Sequence, residues 1–256
     1  MTSPDAVLFQ IDGPVATITL NRPEKRNAIN EAMRLGLFEA WDRFEKSPEL
    51  KVAVLTGSGD KAFCAGMDLT EAASMNLRVP PKNFLPILGD SVHVTKPVIA
   101  AVNGNAFAGG WMFSQMCDLC IAAEHVVFGI TEAKVGRGMP WAAPLAKMLP
   151  QRIMMELLLT AQPMSAERAY GLGFVNSIVP AGKLLAAARE MALGIASNAP
   201  LTVKAARELV YLSSEMGRGA GLRAAQHLFE SVYLSEDAQE GPRSFAEKRP
   251  PVWKGA

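Results

Sequence analysis

A strand, a glycine-containing turn and a helix start follow one another in residues 97–118, PVIAAVNGNAFAGGWMFSQMCD. The apolar run Val98–Val102 has the length of a buried strand, and the NGN that follows is a turn signal. Gly109 and Gly110 then precede a residue series that can form a helix. This order presents backbone N–H groups to an anion at a helix N-terminus. A tight turn with no ligand explains the same residues, so this stretch alone does not define a function.

A second loop with glycine, KAFCAGMDL at residues 61–69, follows the apolar run Val52–Leu55. Residues 61–69, the first loop in chain order, carry Ala-Gly-x-Asp, and residues 97–118, which contain the second loop, carry Asn-Gly-x-x-x-x-Gly-Gly. Asn-Arg-Pro lies upstream at 21–23, and a glutamate-containing segment lies downstream at 130–136. Together, and in this order, these motifs resemble the enoyl-CoA hydratase/isomerase (crotonase) superfamily over about residues 7–243.

The resemblance implies an α/β fold, a crotonase-like ββα spiral with a C-terminal helical trimerisation region. The order of apolar runs agrees, since ββα-like units are predicted at 7–47 and 52–116 and the chain reads as mostly helical from Pro140. We expect residues 1–195 to form the spiral core. Residues 196–256 are expected to cover the pocket and to form the interface of a homotrimer or homohexamer, with Leu228, Val232 and Phe245 as apolar positions.

Two local expectations concern the first helix and the segment after the first loop. Asn30 is predicted to cap a helix whose core face carries Leu35, Phe38, Trp41 and Phe44. Residues 70–92 have weak periodicity and three prolines, so an irregular or mobile segment is expected there. In the family such a segment often lines the acyl pocket.

The resemblance also implies a chemistry. An enzyme that forms a thioester enolate must stabilise its oxygen, and two backbone N–H groups can do so. The resemblance places these groups at Met67 and Gly109. The positions implied to bind the substrate or its coenzyme A are Arg22, Lys25, Ala28, Lys61, Ala65, Gly66, Met67, Asp68, Leu69, Gly110 and Met112. For each single cation among them, a solvated surface charge is the alternative.

Proton transfer next to the thioester carbonyl needs a side chain. Hydratases of the family commonly use two glutamates; the first position is Met112 here, and the second is Glu132. Apolar neighbours, among them Val135, are expected to raise the pKa of Glu132, whereas an exposed acid on a loop is the alternative. One carboxylate favours isomerisation of an enoyl-CoA double bond. Hydration of a 2-enoyl-CoA is the alternative, and a catalytically inactive CoA-binding protein is a remote one.

Composition limits the other classes. A net charge of +1 gives no excess of positive charge that would indicate nucleic-acid binding. The sequence has no G-x-G-x-x-G motif after a predicted strand, so it does not support a dinucleotide-binding oxidoreductase. Cys117 and Cys120 have redox-motif spacing but begin an apolar run, so we interpret them as structural. The three scattered histidines suggest no metal site, and coenzyme A enters only as part of the substrate. Neither a signal peptide nor a run of membrane-spanning length is visible, so we expect a cytoplasmic enzyme without a membrane partner.

Overall fold

The computed structural model describes residues 5–76 and 78–256, which contain ten strands and ten α-helices. The strands are β1 (Val7–Asp12), β2 (Val15–Leu20), β3 (Val52–Gly57), β4 (Ala62–Cys64), β5 (Val98–Val102), β6 (Asn105–Phe107), β7 (Leu119–Ala123), β8 (Val127–Gly129), β9 (Met164–Ser165) and β10 (Ser177–Val179). The helices are α1 (Glu31–Lys46), α2 (Leu69–Ser74), α3 (Gly109–Gln115), α4 (Leu145–Met148), α5 (Gln151–Thr160), α6 (Ala166–Gly171), α7 (Leu184–Ala196), α8 (Pro200–Glu215), α9 (Arg218–Tyr233) and α10 (Asp237–Ala246).

The strands form two sheets. The larger sheet has the order β1-β2-β3-β5-β7-β10, in which β1 is antiparallel to β2 and all other neighbours are parallel. The smaller sheet has the order β4-β6-β8-β9, with only β9 antiparallel. Strands β3, β5 and β7 lie in the larger sheet, and the strands that follow them, β4, β6 and β8, lie in the smaller one, whereas β1 and β2 both lie in the larger sheet.

Three ββα turns occur in sequence, β1-β2-α1, β3-β4-α2 and β5-β6-α3. The predicted second unit at 52–116 is therefore two turns. The sequence hides the division because β4 and β6 have only three residues each, too few for an alternating pattern to stand out.

Alternation along the buried strands of the larger sheet separates two hydrophobic cores. In β5, Val98, Ala100 and Val102 pack into the main core with α1, whereas Ile99 and Ala101 face the second core. Helix α7 covers that second face with Leu184, Ala188 and Ala192. Both faces of the sheet are thus buried, as expected for parallel strands.

Helix α1 begins as predicted, because the Asn30 side chain accepts a hydrogen bond from Met33 N at 3.0 Å. The predicted core face is partly wrong. Leu35 is 61% exposed and Phe38 is only half-buried, while Trp41 and Phe44 are fully buried. A series with a constant spacing of three residues drifts around a helix of 3.6 residues per turn, and the buried face instead alternates spacings of three and four. Its members are Met33, Leu37, Ala40, Trp41 and Phe44.

The segment 70–92 is less irregular at its start than predicted, because α2 extends to Ser74. Residue 77 lies outside the described residues. Around it, the described residues 75–92 form turns and one isolated bridge between Leu88 and Val92.

The C-terminal part is helical as expected, with α8, α9 and α10 in the predicted order. Leu228 and Val232 are half-buried, and Phe245 is 88% exposed. No α9 residue is fully buried within the described chain. The boundary at residue 195, the cover over the pocket and the oligomer remain predictions. Among the described helices, none is long and apolar enough to cross a membrane.

All three cysteines are free and buried. Burial raises the pKa of the Cys120 thiol to about 12 and also raises that of Cys117. Because the thiolate is the reactive form, these pKa values agree with a structural role for the pair.

Candidate active site

The first loop holds Met67 beside the residue that precedes helix α1. Ile29 N donates to Gly66 O at 2.8 Å, and Asp68 N donates to Ile29 O at 2.9 Å. In such a parallel bridge the backbone groups of the residue between the two bonds point away from the partner. The N–H of Met67 is therefore directed to the side opposite Ile29, where a ligand can accept its hydrogen bond.

The second loop presents the N–H of Gly109. This residue is the first of α3, so its N–H has no acceptor within the helix. Ala108 precedes it with φ 50° and ψ −117°, a conformation that is strained for a residue with a side chain. Ala108 N is fixed by the carbonyl of Gly129, on β8, at 2.8 Å. The smaller sheet thus determines where the N–H of Gly109 points.

The two loops lie against each other, and glycine makes the approach possible. An ideal Cβ on Gly66 would lie 2.8 Å from Ala108 Cβ and 3.4 Å from Gly109 N. A Cβ on Gly110 would lie only 2.1 Å from Cys64 O. Gly66 also has φ +91°, which favours glycine. The structure therefore brings together the loops that carry the two predicted N–H donors.

Glu132 follows β8 and begins a short 3-10 turn. It is 6% exposed, so the alternative of an exposed acid on a loop is wrong. Oε1 accepts a hydrogen bond from Trp141 Nε1 at 3.0 Å, whereas Oε2 is buried and has no partner among the described residues. Burial raises the pKa of Glu132, and hydrogen bonds from Trp141 and the backbone oppose that rise only in part. A carboxyl group can act as a general acid or base, and a raised pKa makes its protonated form more accessible. Val135 was expected to be one of the apolar neighbours that raise the pKa of Glu132, but its side chain is exposed.

The segment that carries Glu132 is connected to the second glycine loop by strand pairing in the smaller sheet. Strand β6 pairs in parallel with β8, with Phe107 opposite Gly129. Gly129 lies three residues before Glu132, and Phe107 lies two residues before Gly109. Trp111 of α3 also packs on Phe128 of β8, with ring centroids 5.6 Å apart. The carboxyl group and the N–H of Gly109 are therefore held on adjacent segments of one rigid unit.

Met112 is fully buried in the main core. Its thioether can neither donate nor transfer a proton, so this position supplies no second acid or base.

Several predicted binding positions form the outer support of the first loop. Arg22 Nη1 donates to Ala28 O at 2.5 Å and pairs with Asp68 at 3.1 Å. Asp68 caps α2, accepting from Thr70 N at 3.2 Å. Burial raises the pKa of Asp68, but the hydrogen bonds from the Glu71 N–H and from Arg22 outweigh it and lower the pKa. Arg22 is thus engaged within the protein.

The remaining predicted positions on this side differ in exposure. Lys25, Lys61 and Leu69 are exposed, and Ala65 is half-buried. Contact of any of these residues with coenzyme A remains a prediction. No group of three or more metal-ligating side chains is placed to hold a metal within the residues that the structure describes.

The sequence did not reveal the hydrogen bond between Trp141 and Glu132. The nine-residue separation has no regular structural meaning, so no local pattern predicts this contact. The carbonyl of Trp141 in turn accepts a hydrogen bond from Gln115 Nε2, at the end of α3.

The chain is thus an α/β protein of stacked ββα turns in which two glycine loops pack against each other and the segment after β8 carries a buried carboxyl group. A model of the enoyl-CoA hydratase/isomerase family matches residues 10–256. The chain belongs to this family, and its relatives are named as enzymes. The expected family, fold class and enzymatic character are therefore confirmed.

Individual relatives agree. Carnitinyl-CoA dehydratase of Salmonella typhi is 42% identical, over 95% of this chain and 96% of that protein. The crystal structure of an enoyl-CoA hydratase from Mycobacterium tuberculosis H37Rv is similar with a TM-score of 0.90 and 36% identity, covering 98% of this chain and 100% of that one. A probable enoyl-CoA hydratase/isomerase from Mycobacterium abscessus has a TM-score of 0.88 and 38% identity, covering 99% and 100%.

Proposed function

We propose that this protein acts on an acyl-CoA thioester through an enolate, with Glu132 as its single acid–base group. The observation that carries the proposal is the Glu132 carboxyl group, which is buried on the segment that follows β8 and has Oε2 unpartnered among the described residues. The N–H groups of Met67 and Gly109 would bind the thioester oxygen, which becomes negatively charged when the enolate forms.

The reaction that one carboxylate performs without help is isomerisation of a 3-enoyl-CoA. Glu132 takes a proton from C2, and the electron pair delocalises over the thioester oxygen and the C3–C4 double bond. The same carboxylic acid then returns the proton to C4, which leaves a double bond between C2 and C3. Atoms and charge balance without water. Met112, which is fully buried and apolar, fits a site that needs no second polar group.

Reversible addition of water is the second candidate function. It is favoured by the names of the relatives, which include a dehydratase and a hydratase. Adding water to C3 and a proton to C2 requires the attacking water to be held and deprotonated. Glu132 would have to perform both proton transfers, because Met112 cannot share that water.

The test compares initial rates on a 2-enoyl-CoA and a 3-enoyl-CoA of equal chain length. We expect fast conversion of the 3-enoyl substrate and slow hydration of the 2-enoyl substrate. Glu132→Gln keeps the size of the side chain but cannot accept the proton, so isomerisation should fall by about 10²–10⁴-fold. The control is Glu124→Gln, which changes an exposed glutamate and should retain wild-type rates.

Fast hydration without detectable isomerisation would overturn the preference for isomerisation and favour the second candidate. Absence of turnover on both substrates, with coenzyme A still bound in a calorimetric titration, would indicate an inactive CoA-binding protein. A crystal soaked with acetoacetyl-CoA would test the predicted contacts of Lys25, Lys61 and the glycine loops directly.

We also propose assembly through the C-terminal helices into a trimer or a dimer of trimers. Large apolar side chains are exposed there, including Tyr233, Leu234 and Phe245. Exposure of such side chains on neighbouring helices is typical of an interaction surface. Light scattering should give the mass of three or six chains, and a stable monomer at micromolar concentration would contradict the assembly.

A further inference from the structure

Among the described residues, the indole of Trp141 is the only side chain that donates a hydrogen bond to the Glu132 carboxyl group. We propose that Trp141 is a positioning residue, which holds Oε1 of Glu132 and leaves Oε2 as the oxygen that carries the proton. This inference rests on the proposed role of Glu132 as the acid–base group. It adds which oxygen reacts and which side chain makes the two oxygens unequal.

The geometry supports an asymmetric carboxyl group. Trp141 Nε1 lies 3.0 Å from Oε1, a normal distance for this kind of hydrogen bond. Oε2 is buried and has no partner among the described residues. A buried oxygen without a partner is costly in a folded protein, so its presence in a native site calls for an explanation. Oε2 is therefore the carboxyl oxygen that no donor among the described residues occupies.

The donor itself is suited to this task. An indole N–H can only donate, so it neither accepts the proton nor competes for it. A carboxylate binds such a donor more strongly than a carboxylic acid does. Trp141 therefore favours the ionised, proton-accepting form of Glu132, while burial favours the protonated form. Glu132 needs access to both forms, because it removes a proton and then returns it.

The position of Trp141 is fixed by the helix that begins with Gly109. Gln115, the last residue of α3, donates a hydrogen bond from Nε2 to the carbonyl of Trp141. Pro140 precedes Trp141 in a 3-10 turn and restricts the backbone there. One end of α3 thus presents the N–H for the enolate oxygen, and the other end anchors the residue that orients the carboxyl group.

The test replaces Trp141 by phenylalanine, which keeps an aromatic ring and removes the N–H. Without the donor the carboxylate is less stable, so the acid limb of the kcat/KM profile should move to higher pH. At a pH on that limb, kcat/KM should fall about tenfold or more. The matched control is Trp41→Phe, since the Trp41 Nε1 is buried in α1 without a partner among the described residues. Trp41→Phe should leave the pH profile unchanged. If Trp141→Phe acted only by disturbing the packing, it too would leave the pH profile unchanged.

A second measurement does not depend on activity. In ¹⁵N spectra of the wild type, the indole N–H resonance of Trp141 should shift as Glu132 titrates. That shift should disappear in Glu132→Gln. An indole resonance that ignores the titration, or an unshifted profile in Trp141→Phe, would overturn the role of Trp141. If Glu132→Gln kept full activity while the Trp141 indole resonance of the wild type still followed the titration of Glu132, the proposed function would be refuted. The hydrogen bond between Trp141 and Glu132 would then still stand.

Discussion

Gly110→Ala tests whether the close approach of α3 to β4 sets the catalytic geometry. The added Cβ would lie 2.1 Å from Cys64 O and 2.9 Å from Cys64 C, both backbone atoms. Cβ atoms are essentially never found within 3.0 Å of another heavy atom, so the two backbones must separate by about 0.9 Å. Neither side can yield by changing a rotamer, because the contact is with the main chain.

The magnitude follows from that displacement. Forcing an extra methyl group into a packed interior costs about 1–3 kcal/mol. For a chain of 256 residues this lowers Tm by about 2–12 °C. The larger effect should be on catalysis, because Gly110 follows one predicted N–H donor and Cys64 lies three residues before the other. A misplacement of about 1 Å can cost about 10²-fold in rate, so kcat should fall by that order.

The assay pairs thermal unfolding with initial rates on the better enoyl-CoA substrate. The matched control is Gly194→Ala, an exposed position in α7 where a Cβ meets nothing within 4 Å. That variant should keep wild-type kcat and gain up to about 1 kcal/mol, because alanine is the better helix former. Wild-type Tm and kcat in Gly110→Ala would refute the reasoning, since the loops would then tolerate separation.

Three further outcomes are expected. Burial raises the pKa of Glu132, so the wild type loses stability as the pH rises through that pKa. Glu132→Gln lacks this titration. In thermal scans, the Tm of the variant should therefore rise relative to the wild-type Tm between pH 4 and pH 8. Met112→Glu should be destabilised more at pH 8 than at pH 5 in the same scans, since a fully buried carboxylate is costly only when ionised; equal losses would contradict this. Arg22→Ala should lower Tm by about 2–4 °C, because Arg22 joins Ala28 to Asp68, whereas Arg168→Ala at an exposed ion pair should not change it.

Those parts of the fold that depend on local pattern were predictable from the sequence. The buried run Val98–Val102 and the Asn30 cap both depend on residues close together in the chain. Glu132 was identifiable for another reason, since its position in a family motif could be matched residue by residue. The sequence placed Gly66 and Gly110 among the expected substrate-binding positions, and only the structure shows which atoms of neighbouring segments they approach.

The rest depends on contacts between distant segments. Asn27 is fully buried and donates to Ser58 O and Ala62 O, both at 2.9 Å, yet it reads as one more polar loop residue. Arg22 was predicted to bind coenzyme A, and its engagement with Asp68 across 46 residues has no signal in the sequence. The same holds for Trp141, whose hydrogen bond to Glu132 depends on how a 3-10 turn packs.

The stability of the site and its proposed chemistry make opposite demands on Glu132. An unpartnered buried oxygen weakens the fold, and a second donor at Oε2 would relieve that cost. Such a donor would also occupy the oxygen that must reach C2 and C4 of the substrate. Satisfying Oε1 alone, through Trp141, is the arrangement that keeps the carboxyl group oriented and its other oxygen free. Such an arrangement would suit the proposed reaction, in which the same proton leaves and returns.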